Sequence, residues 1–308
     1  MPKLSIIVPC YQNEFNIPVT SMELIKNEEN FPSELSFEYI MVDDGSKDNT
    51  LGELKKFKAL YPDKVKIVKL SGNFGAVNAT LSGMSQATGD CNVILAADLQ
   101  DPPELIIKMY EYWQKGIKLI VANRDKRQDS LFIQIFARTY QMLIRKFAIK
   151  NLPKGGFDLC LFDKDLREKI LLMNEKNTNI GYLMLLLKYD FVSIPYTRRK
   201  REIGRSMWSF NKRIQFFIDS FVSFSYFPLR LISITGIFLG FIALIYAVFV
   251  VFGKLFGHIN VEGWTTLMLV FLLVSAFQMI SLGIIGEYLW RTLETNRKRP
   301  NYVIDEII

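Results

Sequence analysis

The chain has 308 residues, half of them hydrophobic and 22% charged, with a formal net charge of +7. That length suits one catalytic domain plus an appendage, and the uneven spread of charge excludes a single uniform globule. Residues 1–213 alternate charged and apolar stretches, whereas residues 229–290 are almost free of charge. The basic residues gather on either side of the apolar region and no nucleic-acid motif is present, so the positive balance points to membrane phosphates rather than DNA or RNA. Cys10, Cys91 and Cys160 match no zinc spacing and read as free thiols, and the single histidine, His258, falls between two apolar runs, which excludes histidine catalysis in the polar part.

From the N-terminus, Met1-Pro2-Lys3 leads straight into an apolar β-branched run, too short for a signal peptide, so the first part of the chain is expected to stay in the cytosol. Short apolar runs at Leu4–Pro9, Phe37–Val42, Val65–Leu70, Asn92–Ala97 and Lys118–Ala122 predict strands buried on both faces. Helical stretches near 14–27, 47–60, 74–87 and 103–115 separate them. This alternation predicts an α/β domain with a mostly parallel sheet, whose ligands bind beyond the carboxyl ends of the strands. Further strands are expected at Phe157–Phe162 and Phe191–Pro195, with helices between, followed by a basic loop from Tyr196 to Trp208.

Residues 210–228 mix Lys212, Arg213 and Asp219 with many phenylalanines, as an amphipathic helix in the membrane interface would. Leu229–Gly253 and Trp264–Tyr288 are each long enough to cross a bilayer. Arginines and lysines crowd both outer flanks, while the connecting loop holds only Lys254 and His258, so both flanks are expected in the cytoplasm. The domain plan is therefore 1–209 catalytic, 210–228 interfacial, 229–290 a two-helix anchor, and 291–308 a cytosolic tail.

The polar clusters fall at predicted strand ends. Pro9-Cys10-Tyr11-Gln12-Asn13-Glu14 follows the first strand and Asp43-Asp44-Gly45-Ser46 the second. Adjacent carboxylates are costly unless paired, and a ribose, a base N–H or a metal would pair them; helix capping would too. Asp98-Leu99-Gln100-Asp101-Pro102-Pro103-Glu104 follows the fourth strand. There Asp101 is expected to cap the helix that Pro102-Pro103 begins, which leaves Asp98 to hold a divalent cation on a diphosphate.

Taken in order with Asn73-Phe74-Gly75, Ala87-Thr88-Gly89-Asp90, Gly155-Gly156-Phe157-Asp158, Arg201-Glu202-Ile203-Gly204-Arg205-Ser206 and the apolar pair, these motifs resemble the family-2 glycosyltransferases of the GT-A fold. The nearer resemblance is to polyprenyl-phosphate glycosyltransferases, the group of dolichol-phosphate mannose synthase and bacterial GtrB-type enzymes. The resemblance implies transfer of a sugar from a nucleotide-diphosphate donor to a polyprenyl phosphate, undecaprenyl or dolichyl. It implies Pro9, Tyr11, Glu14, Asp43, Asp44, Asp98 and Gln100 around the nucleotide sugar, and Mg²⁺ or Mn²⁺ on Asp98. It puts Asp158, Arg201 and Arg205 at the reaction, and Arg199, Arg201, Arg205 and Ser206 at the lipid phosphate. It also implies a homo-oligomer, a tetramer.

Two positions depart from the family pattern: Ala96 stands for the first aspartate of Asp-x-Asp, and Gly72 for the arginine before Asn-Phe-Gly. Two alternatives to the transferase stay open at this point. One is a weakened homologue that binds nucleotide sugar or lipid without transfer, motivated by these two positions. The other is a processive polysaccharide synthase, which lacks support in a Gln-x-x-Arg-Trp motif or further spans.

Overall fold

The computed structural model describes residues 1–124, 131–173, 175, 178–199, 210–255 and 263–308. Arg201, Arg205 and Ser206, with the rest of the basic loop after Arg199, lie outside the described residues, as does His258.

Strand–helix alternation holds through the first half: β1 (Lys3–Cys10), α1 (Ile17–Glu28), β2 (Ser36–Asp43), α2 (Thr50–Leu60), β3 (Val65–Leu70), α3 (Ala76–Gln86), β4 (Cys91–Ile94), α4 (Leu105–Gln114) and β5 (Leu119–Arg124). Then come α5 (Leu131–Phe147), β6 (Phe157–Asp163), α6 (Lys164–Met173), α7 (Ile180–Leu186), β7 (Phe191–Tyr196), α8 (Phe210–Phe224), α9 (Phe227–Leu255), α10 (Trp264–Asn296) and β8 (Ile304–Ile307).

The eight strands among the described residues form one sheet in the order β7-β5-β6-β4-β1-β2-β3-β8. β1 pairs in parallel with β2 and β4, and β2 with β3. Their apolar runs are continuous because helices cover both faces: Ile6, Ile7, Val8, Tyr39, Ile40, Met41 and Val42 are all fully buried. β6 is inverted and runs antiparallel to both β4 and β5. That inversion brings the start of β6, not its end, to the edge where β1, β2, β4 and β5 finish, with Phe157 opposite Asn123.

The last strand departs from the sequence expectation of a tail over 291–308. α10 continues to Asn296, and Ile304–Ile307 pairs antiparallel with β3. Its weak apolar signal, four residues of Ile-Asp-Glu-Ile, hides a strand whose pairing covers the sheet edge that β3 would otherwise expose. Backbone bonds from Ser71 to Val303 and between Ile67 and Ile308 extend the seam.

The chain divides into two compact units, Met1–Ser220 with Pro300–Ile308, and Phe221–Arg299. In the second, α9 and α10 are long enough to cross a membrane and leave their apolar side chains uncovered, Phe238 61% and Leu273 63% exposed among them. A core helix of a soluble domain would bury such side chains. Within this unit Tyr288 donates to the Ser225 carbonyl at 2.7 Å and Arg291 to Ser223 at 2.9 Å.

At the sheet edge opposite the motif-bearing ends, Glu38 is buried among donors. It accepts from Ser5, from the Thr88 amide at 2.5 Å and hydroxyl at 2.8 Å, and from the Gly89 amide at 3.0 Å, and it pairs with Lys3 at 3.1 Å. Burial opposes its charge, but the hydrogen bonds from Ser5, Thr88 and Lys3 outweigh it and hold the carboxyl below its ordinary 4.5. A depressed folded pKa contributes stability that is present above the unfolded value and lost as pH falls through the folded one. Glu38→Gln is therefore expected to melt lower at neutral pH and to lose less on acidification below about pH 4.5 than the parent protein. Melting curves against pH in neutral detergent check this, and parallel acid limbs would contradict it.

Candidate active site

Among the described residues, the ends of β1, β2, β3, β4, β5 and β7 and the start of β6 meet at a single sheet edge. Register places Cys10 beside Asp43, so the Pro9–Glu14 segment and the Asp43–Ser46 turn leave the sheet together. They are stitched where they emerge. The Asp44 amide donates to the Cys10 carbonyl at 2.9 Å, the Gln12 amide to Ser46 Oγ at 3.1 Å, and the Asn13 amide to Thr50 Oγ1 at 2.7 Å. Glu14 Oε2 accepts the Asn49 amide at 2.9 Å, which uses its carboxylate at the start of α2.

The paired carboxylates have different partners. Asp43 is 2% exposed and accepts the Ser46 amide at 3.1 Å, closing the turn. Asp44 accepts two amides, Phe74 at 2.7 Å and Gly75 at 2.9 Å, and so anchors the Asn73-Phe74-Gly75 loop. Burial pushes the Asp44 carboxyl up, and these two amides pull against that shift. Gly45 makes the approach feasible. Its φ is +65°, and a Cβ there would stand 2.5 Å from the Gly72 carbonyl carbon. Gly45→Ala is expected to lower stability by roughly 1–3 kcal/mol, from left-handed strain plus displacement of the 72–75 loop. A melting curve tests it; an unchanged midpoint would show that the loop gives way freely.

Beyond β4 the backbone turns at Leu99, φ +48°, and the Gln100 amide donates to Asp98 Oδ1 at 3.2 Å. Asp98 is half-buried. Ala96 offers no donor atom, and Asp101 does not take its place. Asp101 is 1% exposed, accepts the Tyr196 hydroxyl, and faces Arg198 Nε at 3.4 Å. This corrects the sequence expectation of a helix cap: α4 begins at Leu105 after Glu104, and Asp101 is turned inward to the end of β7. Tyr196 is pushed up to about 12 by burial and by Asp101, so it stays protonated as the donor. Arg199 completes the tie: its amide donates to the Gln100 carbonyl at 2.9 Å and its guanidinium pairs with Glu104 at 2.8 Å. The first residues of the basic loop are thus fastened to the Asp98–Glu104 motif.

Asp158 lies at the start of β6 and is ion-paired with Arg124, the last residue of β5. Arg124 also stands opposite Tyr196 in the β5–β7 register. It therefore joins Asp158 to the Tyr196–Asp101 pair. The sequence reading missed Arg124. A charge just past the buried run Leu119–Ala122, at a strand's carboxyl end, was the available signal. Gly155, φ +89°, lets the following loop close on this residue, since a Cβ would meet the Arg124 carbonyl oxygen at 2.4 Å.

These motifs, in this order around one sheet edge, are matched by the family model for glycosyl transferase family 2 over residues 5–172. The chain belongs to that family. It is a glycosyltransferase of GT-A fold, with a mixed, mostly parallel sheet. Relatives match almost its whole length. It is 33% identical to the uncharacterized glycosyltransferase YkcC of Bacillus subtilis, over 98% of this chain and 93% of that one. It is 29% identical to the undecaprenyl-phosphate 4-deoxy-4-formamido-L-arabinose transferase of Proteus mirabilis, over 99% of this chain and 94% of that one. It is also 29% identical to a prophage bactoprenol glucosyl transferase homolog of Escherichia coli, over 99% of both chains.

For a glycosyltransferase of this fold the donor set near Asp98 limits what a cation could use. Among the described residues no group of three His, Cys, Asp or Glu side chains is assembled to hold a metal. Asp101 is closed off by Tyr196 and Arg198. The residues fit a cation held by one protein carboxylate, Asp98, with substrate phosphates and water completing its shell.

Proposed function

We propose that this glycosyltransferase moves a sugar from a nucleotide-diphosphate donor to a polyprenyl phosphate at the cytoplasmic face of a membrane. One observation carries the reading most. Relatives named for undecaprenyl-phosphate or bactoprenol transfer match 99% of the chain, so the likeness includes the two apolar helices as well as the catalytic domain. Those two names share a lipid and differ in sugar, so they support the acceptor class and leave the sugar open. The chain up to Ser220 and from Pro300 belongs to the unit that holds the sheet, which supports two crossings, and the basic residues outside both apolar runs support the cytoplasmic side for that unit.

In this reading Pro9, Tyr11, Glu14, Asp43 and Asp44 shape the nucleotide pocket, with Asp44 acting through the 73–75 loop. Asp98 and Gln100 stand at the diphosphate. Mg²⁺ or Mn²⁺, when bound at Asp98, would neutralise charge on the leaving diphosphate. Asp158, held by Arg124, orients the sugar. Arg199, Arg201, Arg205 and Ser206 receive the lipid phosphate. A phosphate monoester has its second pKa near about 6, so the acceptor is already an anion and needs no general base. An acceptor oxygen bonds to the anomeric carbon while the bond from that carbon to the diphosphate oxygen breaks. The nucleotide diphosphate leaves with the electron pair, and the configuration inverts. What the protein supplies is alignment and charge compensation for two anions that otherwise repel.

The test is direct. Purified full-length protein is incubated with undecaprenyl phosphate and a panel of labelled nucleotide sugars, with and without Mg²⁺ or Mn²⁺. The expected product is a labelled, mild-acid-labile lipid with inverted configuration, formed from one or a few donors. Donor binding without any lipid product would favour the non-transferring homologue that Ala96 brings to mind.

A further inference from the structure

Next to the Asp158 loop, on a face of α5 that the proposed mechanism does not use, lies a depression of about 390 Å³ lined by Gln141, Met142, Arg145, Lys146 and Lys154. The four helical residues recur at i, i+1, i+4 and i+5, one face of the helix, while Ile144 points into the core on another. We propose that this depression is a binding site for the phosphate headgroup of an anionic phospholipid. The inference rests on the membrane association proposed above, and its readout involves no sugar transfer.

Charge is the first argument. Residues 131–157 carry five cations, Arg138, Arg145, Lys146, Lys150 and Lys154, and no carboxylate. Among the described residues no carboxylate is ion-paired with Arg145, Lys146, Lys150 or Lys154. Arg145 uses its Nε on the Leu152 carbonyl at 3.1 Å, and Lys146 lies 5.2 Å from the centre of the Phe147 ring. The positive field is therefore not cancelled from within. Cations without a carboxylate partner at a shared site favour a phosphate diester.

The apolar part argues for a lipid rather than a soluble anion. Met142 is 60% exposed in the midst of these cations, and the long arginine and lysine stems add methylene surface under their charged heads. A free phosphate gains nothing from such a floor, whereas a headgroup with its glycerol and first chain carbons covers it.

The walls of the depression also hold the loop leading to Asp158. The Gly155 amide donates to Gln141 Oε1 at 3.2 Å, and Arg145 holds Leu152. A bound headgroup would thus brace the segment that ends in Gly155-Gly156-Phe157-Asp158.

Native mass spectrometry of the full-length protein in neutral detergent tests the site, with phosphatidylglycerol, phosphatidylcholine or inorganic phosphate added. The parent protein is expected to retain phosphatidylglycerol in preference to phosphatidylcholine. Lys146→Gln/Lys154→Gln is expected to weaken that retention on the order of tenfold with an unchanged melting midpoint. Lys55→Gln/Lys115→Gln, on exposed lysines elsewhere, is expected to leave it unchanged. Equal retention by the parent and the first variant would overturn the proposal, as would an equal loss in both variants, which marks non-specific attraction. Displacement of the lipid by inorganic phosphate at equal concentration would overturn the lipid as occupant and leave a small-anion site.

Discussion

Asp98→Asn is expected to reduce sugar transfer by about 10²–10³-fold, the scale for loss of a single electrostatic stabiliser of a developing charge. Asparagine keeps an oxygen for the Gln100 amide, now 3.2 Å from Asp98 Oδ1, so the turn at Leu99 survives while the negative charge is lost. Ala96 makes the effect larger than it would be beside a second carboxylate. With no neighbouring donor at 96 and Asp101 turned away, no other aspartate in the motif can substitute. The signature is a steep rise in the Mn²⁺ concentration needed for activity, with partial recovery at high metal and an unchanged melting curve. Parent-level transfer at low metal would remove Asp98 from the diphosphate site.

Much of the frame was legible because its physics is local. β1, β2 and β3 announce themselves as apolar β-branched runs, and their observed bounds, Lys3–Cys10, Ser36–Asp43 and Val65–Leu70, depart from the expected ones by at most a residue. What stayed hidden depends on chain-distant pairing. Ile304–Ile307 gains its strand character from β3, more than 200 residues away, so no local pattern could reveal it. Asp158 was singled out by motif, yet nothing in 157–162 says that this strand is inverted; only pairing with β4 and β5 brings its first residues to the site edge. Arg124 has no local partner that would mark it, because Asp158 and Tyr196 come from two other strands.

Asp101 is where local reading and tertiary structure part most clearly, and it gives the second large expected effect. Asp before Pro-Pro-Glu is good capping chemistry, but Tyr196 and Arg198 lie 95 and 97 positions on, and both point at this carboxylate. Asp101→Ala leaves a buried hydroxyl and a guanidinium without their acceptor. Breaking a buried pair costs about 3–5 kcal/mol, and the lower end applies because Arg198 keeps 29% of its side-chain exposure. Asp101→Asn retains an oxygen for Tyr196 and is expected to cost only about 1 kcal/mol. The two substitutions separate architecture from metal binding. If Asp101 holds the basic loop to the Asp98 motif, stability falls steeply in the alanine variant, and the asparagine variant keeps the parent's Mn²⁺ dependence. A metal ligand would behave the other way, with both variants stable and both requiring far more Mn²⁺. Melting curves and metal titrations on the pair decide between these outcomes. The expected one makes Asp101 the joint that fastens the 196–199 segment to the Asp98 motif.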